Sequence, residues 1–178
     1  MRIVGGIARG RRLFSPKTRH VRPTGDRVRE SLFQILGPLD GAIVVDAFGG
    51  TGALGCEALS RGAEHVYFFE SDRRAIEAIS ENVRRVDAEE RTTIRFGDFF
   101  RKALQIDRPI DLWLIDPPYR MGLSLRALEV IASHPMARAD TLAVVERDRR
   151  EEWEGQGSFV EEDNRTYGDT QVIFLRKS

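Results

Sequence analysis

Apolar residues along this chain follow two rhythms. Short β-branched and aromatic runs recur at Ile43-Val44-Val45, His65-Val66-Tyr67-Phe68-Phe69, Thr93-Ile94-Arg95-Phe96, Asp111-Leu112-Trp113-Leu114-Ile115 and Thr141-Leu142-Ala143-Val144-Val145. Each reads as a buried strand. Between them the spacing changes to three and four, which predicts helices. One runs over 26–36, with Val28, Leu32, Phe33, Ile35 and Leu36 as its apolar stripe and Arg27 and Arg29 facing elsewhere. Others run through Cys56, Ala58 and Leu59 towards Arg61-Gly62, from Asp72 through Ala75, Ile76, Ile79 and Val83, and from Asp98 through Arg101 and Leu104. A last one spans 123–133, with Leu125, Leu128 and Ile131 inward. Segments 158–166 and 171–175 form a closing hairpin around Tyr167-Gly168-Asp169. Alternating βα units with a terminal hairpin predict an α/β fold: a seven-stranded, mostly parallel sheet with one reversed strand. Ahead of it, Arg2 to Gly6 and Arg11 to Phe14 pair as a hairpin across Ile7 to Gly10. The chain thus divides into an appended arm, 1–25, and one domain, 26–178.

The candidate chemistry sits at strand ends. After the first strand come Asp46-Ala47-Phe48-Gly49-Gly50-Thr51-Gly52-Ala53-Leu54-Gly55, a glycine-rich turn into a helix. Glycines let backbone approach a ligand, and the helix N-terminus behind them favours polar or anionic groups. The same stretch fits G-x-G-x-x-G, so a nicotinamide-binding domain stands as a rival. The second strand ends at Glu70-Ser71, where an acid accepts hydrogen bonds from ribose hydroxyls. The third ends at Gly97-Asp98-Phe99. Asp98 there either caps the next helix or accepts from an adenine amino group, with Phe99 against the purine. The fourth ends at Asp116-Pro117-Pro118-Tyr119. The prolines stiffen the turn, Asp116 and the carbonyls beside the rings are acceptors, and Tyr119 offers a stacking face. Such a turn holds the exocyclic amine of a nucleobase; its bland counterpart is a Pro-terminated strand with a surface tyrosine. In an open parallel sheet all four ends share one rim, where ligands bind.

Composition adds bounds. At 178 residues, 41% hydrophobic and 31% charged, the chain has the make-up of one soluble globular domain. No apolar run reaches a membrane span of about 18 residues. The start, Met1-Arg2-Ile3-Val4-Gly5-Gly6, has no apolar signal core, which leads us to expect a cytoplasmic protein. Cys56 is single, and His20, His65 and His134 are scattered, so no metal site is expected. Net charge is zero, but residues 1–30 carry nine Lys/Arg against two Asp/Glu, a net of +7, and the remainder carries −7. A basic arm on an acidic body is an electrostatic footprint for phosphate; a solvated basic tail has the same look.

On these strand-end motifs the chain resembles the class I S-adenosylmethionine-dependent methyltransferases that act on amino groups. A narrower resemblance rests on Arg2-Ile3-Val4-Gly5-Gly6, Arg9-Gly10-Arg11-Arg12-Leu13, Arg22-Pro23-Thr24 continuing into Asp26-Arg27-Val28-Arg29-Glu30, Glu57-Ala58-Leu59-Ser60-Arg61-Gly62 and Tyr167-Gly168-Asp169-Thr170. These are similar to the bacterial 16S rRNA guanine-N2 methyltransferases, the family named for guanine 966. The family's loop reads Phe-Ala-Gly-Ser-Gly after its acid. Here Ala47-Phe48-Gly49-Gly50-Thr51-Gly52 departs from it, with a threonine that keeps the hydroxyl. The resemblance implies S-adenosylmethionine as cofactor, held by Pro23, Thr24, Asp46, Phe48, Gly49, Gly50, Thr51, Gly52, Glu70, Ser71, Asp98, Phe99 and Asp116. It implies Asp116, Pro117 and Tyr119 as the catalytic motif. The expected RNA contacts are Arg2, Arg9, Arg11, Arg12, Arg22, Arg29 and Tyr119, with 16S rRNA in an assembling small subunit as partner. A DNA adenine-N6 or cytosine-N4 methyltransferase and a non-catalytic RNA-binding assembly factor remain as rivals.

Overall fold

The computed structural model describes residues 1–15, 25–118, 122–153 and 157–178. In chain order the elements are α1 (Asp26–Leu36), β1 (Ile43–Asp46), α2 (Ala53–Ser60), β2 (His65–Glu70), α3 (Arg73–Arg85), β3 (Thr92–Phe96), α4 (Phe99–Lys102), β4 (Leu112–Ile115), α5 (Leu123–Ala132), β5 (Leu142–Asp148), β6 (Phe159–Tyr167) and β7 (Thr170–Lys177). The strands make one seven-stranded sheet in the order β3-β2-β1-β4-β5-β7-β6. The first five are parallel to their neighbours, and β7 runs antiparallel to both β5 and β6. This is the mixed sheet with a terminal antiparallel hairpin that the sequence pattern predicts, and it matches the class I methyltransferase topology.

Period-two alternation splits the core into two layers. Val44, Val66, Phe68, Leu112, Leu114, Val144 and Phe174 face the side covered by α1, α2 and α3. Val45, Tyr67, Phe69, Trp113, Ile115, Val145 and Leu175 face the α4 and α5 side. Helix α3 starts where Asp72 accepts from the N–H groups of Arg74 (2.7 Å) and Ala75 (3.4 Å). Arg84 and Arg85 occupy its last turn, where cations suit the helix dipole.

Three elements differ from the sequence reading. Strand β5 runs on to Asp148 because Arg147 and Asp148 pair with Gln171 and Thr170 of β7, although hydropathy fades at Glu146. The helix after Asp98 stops at Lys102 and tightens into a single 3-10 turn, Ala103–Gln105. The amino-terminal hairpin is only one bridge, Arg2 with Arg12, flanked by Ile3 N–H to the Arg11 carbonyl and Gly10 N–H to the Ile3 carbonyl.

Residues 1–15 are stitched onto the helices. Ile3, Ala8 and Leu13 bury into the core with Leu59 and Phe33. The Val4 N–H donates to Glu57 Oε2 at 2.9 Å, and the Ala8 N–H to Ser60 Oγ at 2.9 Å. Arg29, expected to face outward, is 0% exposed. Its guanidinium donates to the Arg2 carbonyl at 2.5 Å and to Asp26 at 2.8 Å, and stands 3.7 Å from Glu57. Carboxylates on either side, with a carbonyl between, hold the charge inside and out of reach of a ligand on the surface.

Candidate active site

The rim is set by topology. β3, β2, β1 and β4 are parallel neighbours, so Glu70, Asp46 and the residues after Phe96 and Ile115 lie along one edge. The chain leaves β1 towards β2 and β3 on one side and reaches β4 and β5 on the other. That reversal makes β1/β4 the switch point where ligands enter an open α/β sheet.

The loop after β1 is sewn to its neighbours by its own backbone. Ala47 N–H donates to the Leu114 carbonyl at 3.0 Å, Gly49 N–H to the Phe69 carbonyl at 2.8 Å and Gly52 N–H to the Gly49 carbonyl at 2.6 Å. Gly52 begins α2 with φ of 77°, in the left-handed region that glycine adopts without strain. Gly55 lies so close to β2 that a Cβ there would sit 2.2 Å from the Phe68 ring.

Two carboxylates bracket this loop. Asp46 is 1% exposed; its Oδ2 accepts from the Gly55 N–H at 3.1 Å. Its Oδ1 is buried with no well-formed hydrogen bond, although the Phe48 N–H lies near the carboxylate. Burial pushes the Asp46 carboxyl up to about 7, against the Gly55 hydrogen bond that lowers it; the nearby Glu70 charge adds to the rise, and the Phe48 N–H lowers it slightly. Glu70 accepts from the Gly50 N–H on Oε2 at 2.8 Å, and from the N–H groups of Ser71 (2.7 Å) and Asp72 (2.8 Å) on Oε1. Three backbone donors fix it at the rim while Oε2 keeps acceptor capacity.

At the end of β3, Asp98 caps α4 by accepting from the Phe100 N–H at 3.0 Å. Phe99 is 2% exposed, with ring contacts to Phe48 (6.0 Å), Phe69 (5.4 Å) and Trp113 (6.4 Å). Its ring belongs to the core and does not offer a face to a purine. The half-buried aromatics beside it are Phe48 and Phe100, 6.0 Å apart, and the Arg126 guanidinium lies 4.0 Å over the Phe100 ring. Neither Phe100 nor Arg126 stood out in the sequence.

β4 ends at Ile115 because Pro117 and Pro118 supply no ladder donors. Asp116 is half-buried, Pro117 buried and Pro118 exposed. Tyr119, Arg22, Pro23 and Thr24 lie outside the described residues. On the arm, Arg2, Arg9, Arg11 and Arg12 are exposed. Arg11 is engaged with Asp87 and the Arg85 carbonyl, and Arg2 stands 3.9 Å from Asp26.

Sequence reading also passed over Asn82 and gave Glu57 no role, and both are buried polar side chains. Asn82 lies three residues after Ile79, on the apolar stripe of α3, and a polar residue on such a stripe is the signal that was there to find. Cys56 is buried, which pushes its thiol up and leaves it inert. Among the described residues no group of three or more His, Cys, Asp or Glu is arranged to hold a metal, and no helix is long and apolar enough to cross a membrane.

The buried Asp46 oxygen, with no well-formed hydrogen bond, fits a cationic ligand group such as an ammonium. Glu70, with Oε2 still able to accept, fits vicinal hydroxyls. An amino acid joined to a nucleoside carries both.

The family model described as conserved hypothetical protein 95 matches residues 1–176. The Bacillus subtilis protein named "Putative rRNA methyltransferase YlbH" is 34% identical over 182 residues, 99% of each chain. Ribosomal RNA small subunit methyltransferase D of Escherichia coli is 35% identical over 149 residues, covering 83% of this chain and 75% of its own. A solved Escherichia coli structure, "Putative methyltransferase yhhF", superposes with a TM-score of 0.89 at 28% identity, over 100% of this chain and 98% of the other. The chain therefore belongs to the conserved hypothetical protein 95 family, the family of the small-subunit rRNA methyltransferase D proteins.

Proposed function

We propose that this chain transfers a methyl group from S-adenosylmethionine to the exocyclic N2 amine of one guanine in 16S rRNA. The relatives' names supply the reaction class, methylation of rRNA; the base, the atom and the residue roles are our reading. One observation carries it. The buried acceptor on Asp46, the backbone-held Glu70 and the Asp116-Pro117 turn stand on one rim beside the β1/β4 switch point.

S-adenosylmethionine, when bound, supplies a methyl group already activated on a sulfonium. Asp46 and the loop 48–52 hold the amino acid end, Glu70 with Ser71 the ribose, and Asp98 the adenine side. Phe48 and Phe100 take the aromatic role that burial denies to Phe99. Guanine N2 is a weak nucleophile because its lone pair is delocalised into the ring. Asp116 and the Pro117 carbonyl accept hydrogen bonds from that amine and turn its lone pair outward, so catalysis is positioning and electrostatics. Asp116 then accepts the proton that N2 sheds. Tyr119 stacks on the base, which must be unpaired or flipped out for N2 to be reached. Arg2, Arg9, Arg11 and Arg12, with Arg22, grip the RNA; Arg29 braces the arm instead. Residues 1–25 act as the RNA-binding arm and 26–178 as the transfer domain, working in the cytoplasm on an assembling small subunit.

The test is transfer of labelled methyl from S-adenosylmethionine to small subunits lacking this modification, with the product nucleoside identified. N2-methylguanosine at a single site is expected. Label on another base would overturn the guanine reading. Cofactor binding without transfer would favour a non-catalytic assembly factor.

A further inference from the structure

We propose that Asn82 is a positioning residue that registers the basic arm on the glycine-rich loop, coupling the RNA site to the cofactor site. The identity of those two sites rests on the function proposed above. Asn82 is 0% exposed. Its Oδ1 accepts from the Phe14 N–H at 2.6 Å, and its Nδ2 donates to the Phe14 carbonyl at 2.8 Å and to the Thr51 carbonyl at 2.8 Å. The two bonds to Phe14 copy the two-point pairing of an antiparallel ladder, so the side-chain amide stands in for a neighbouring strand. The two hydrogens of one planar amide are thereby divided between arm and loop. A buried polar group that loses a partner carries its full desolvation penalty, so shifting the arm disturbs the bond to the loop.

The Thr51 carbonyl belongs to a peptide whose N–H, on Gly52, closes the loop onto the Gly49 carbonyl at 2.6 Å. Turning that peptide plane opens the turn that approaches the cofactor. Ile79, one helical turn earlier, fills the space beside the same loop; a Cβ on Gly49 would lie 2.8 Å from its Cδ1. One face of α3 therefore shapes the loop and grips the arm. The other ties between arm and α3 are at the surface: Arg11 to Asp87 and the Arg85 carbonyl, and Arg85 to the Arg12 carbonyl. They are exposed to screening by salt. Among the described residues, none of these side chains hydrogen-bonds the loop.

The experiment measures S-adenosylhomocysteine affinity by equilibrium dialysis, with and without unmodified small ribosomal subunits. By linkage, RNA that tightens the cofactor is itself tightened by it. Wild type is expected to bind S-adenosylhomocysteine at least about fivefold tighter when the subunit is present. Asn82→Leu should bind it equally in both conditions. Asn82→Asp should do the same, since it keeps the volume and the Phe14 N–H bond but sets an oxygen against both carbonyls. Val86→Ala thins the core at the end of the same helix, makes no bond to Phe14 or Thr51, and should keep the wild-type ratio. The proposal falls if wild type shows no coupling, or if both Asn82 variants retain it. Failure of wild type to methylate would strike the functional reading instead, and the coupling ratio would still be readable.

Discussion

Asp116 and Asp46 are both strand-end carboxylates on the rim, yet their surroundings give them different work. Asp116 is half-buried beside a rigid proline turn, and the proposed function gives it the task of orienting the amine. Asp116→Ala should lower kcat by roughly 100-fold or more, the scale of losing one preorganised polar contact. S-adenosylhomocysteine affinity should change little. Single-turnover kinetics beside a binding titration separate the two, and an equal loss of both would remove the role. Asp46 answers to pH. In the unfolded chain it ionises near 3.8, and in the fold at about 7. This group's contribution to stability is therefore neutral below pH 3.8, turns increasingly unfavourable up to about 7, and is constant above. A ligand ammonium beside Oδ1 favours the ionised form and reverses the shift. S-adenosylhomocysteine should bind about tenfold tighter at pH 8 than at pH 6, with proton release on binding. Asp46→Asn should flatten that profile; a wild-type affinity independent of pH would contradict the pairing.

Among the elements, α2 has the most to lose from one substitution. Its Glu57 is 0% exposed and accepts from the Val4 N–H (2.9 Å) and Arg61 Nε (2.8 Å), with Arg29 at 3.7 Å. Glu57→Ala removes one of the two carboxylates beside the buried Arg29, leaving it Asp26 and the Arg2 carbonyl, and strips the Val4 N–H of its acceptor; it should cost about 3 kcal/mol in denaturant unfolding. Adding Arg29→Met should restore part of that, because a buried guanidinium left with Asp26 as its carboxylate is then gone. No recovery would mean the loss comes from the Val4 and Arg61 bonds. Elements buried on both faces were legible from pattern: β1, β2 and β4 follow from their unbroken apolar runs, whereas β3 lies half-buried at the sheet edge with Phe96 exposed, and Ile35 of the expected α1 stripe faces solvent. That these strand ends share one edge was legible too, since it follows from parallel neighbours. What stayed hidden has a common physical cause, a polar group buried against partners distant in sequence. Arg29 was expected to face outward, Asn82 is one polar residue on an apolar stripe, and the end of β5, Glu146 to Asp148, is charged yet buried. The burial of Phe99, expected against a purine, has a different cause. Which of two adjacent aromatics turns inward depends on where α4 begins, and that is fixed by the Asp98 cap.

For the molecule as a whole, a net charge of zero conceals a division. The first 30 residues carry +7 and the rest −7, and under the proposed function the acidic body repels RNA while the arm attracts it, confining binding to one side. Not every arm arginine contributes. Arg29 is internal, Arg11 is paired with Asp87, and Arg2 stands near Asp26. Arg9 and Arg12 are exposed and have no carboxylate partner among the described residues. They are the described arginines best placed to displace counterions from phosphate. Each phosphate contact on a single strand contributes a slope of about −0.7 in log K against log salt. Replacing both with Ala should therefore make the slope for unmodified small subunits shallower by about 1.4 and weaken binding most at low salt. Replacing Arg11 instead should move the slope less, since its charge is already met by Asp87. S-adenosylhomocysteine affinity measured without RNA should be unchanged in both variants. If the double variant keeps the wild-type slope, the phosphate contacts lie elsewhere on the surface, and the arm's charge serves its anchoring to α2 and α3 rather than the substrate.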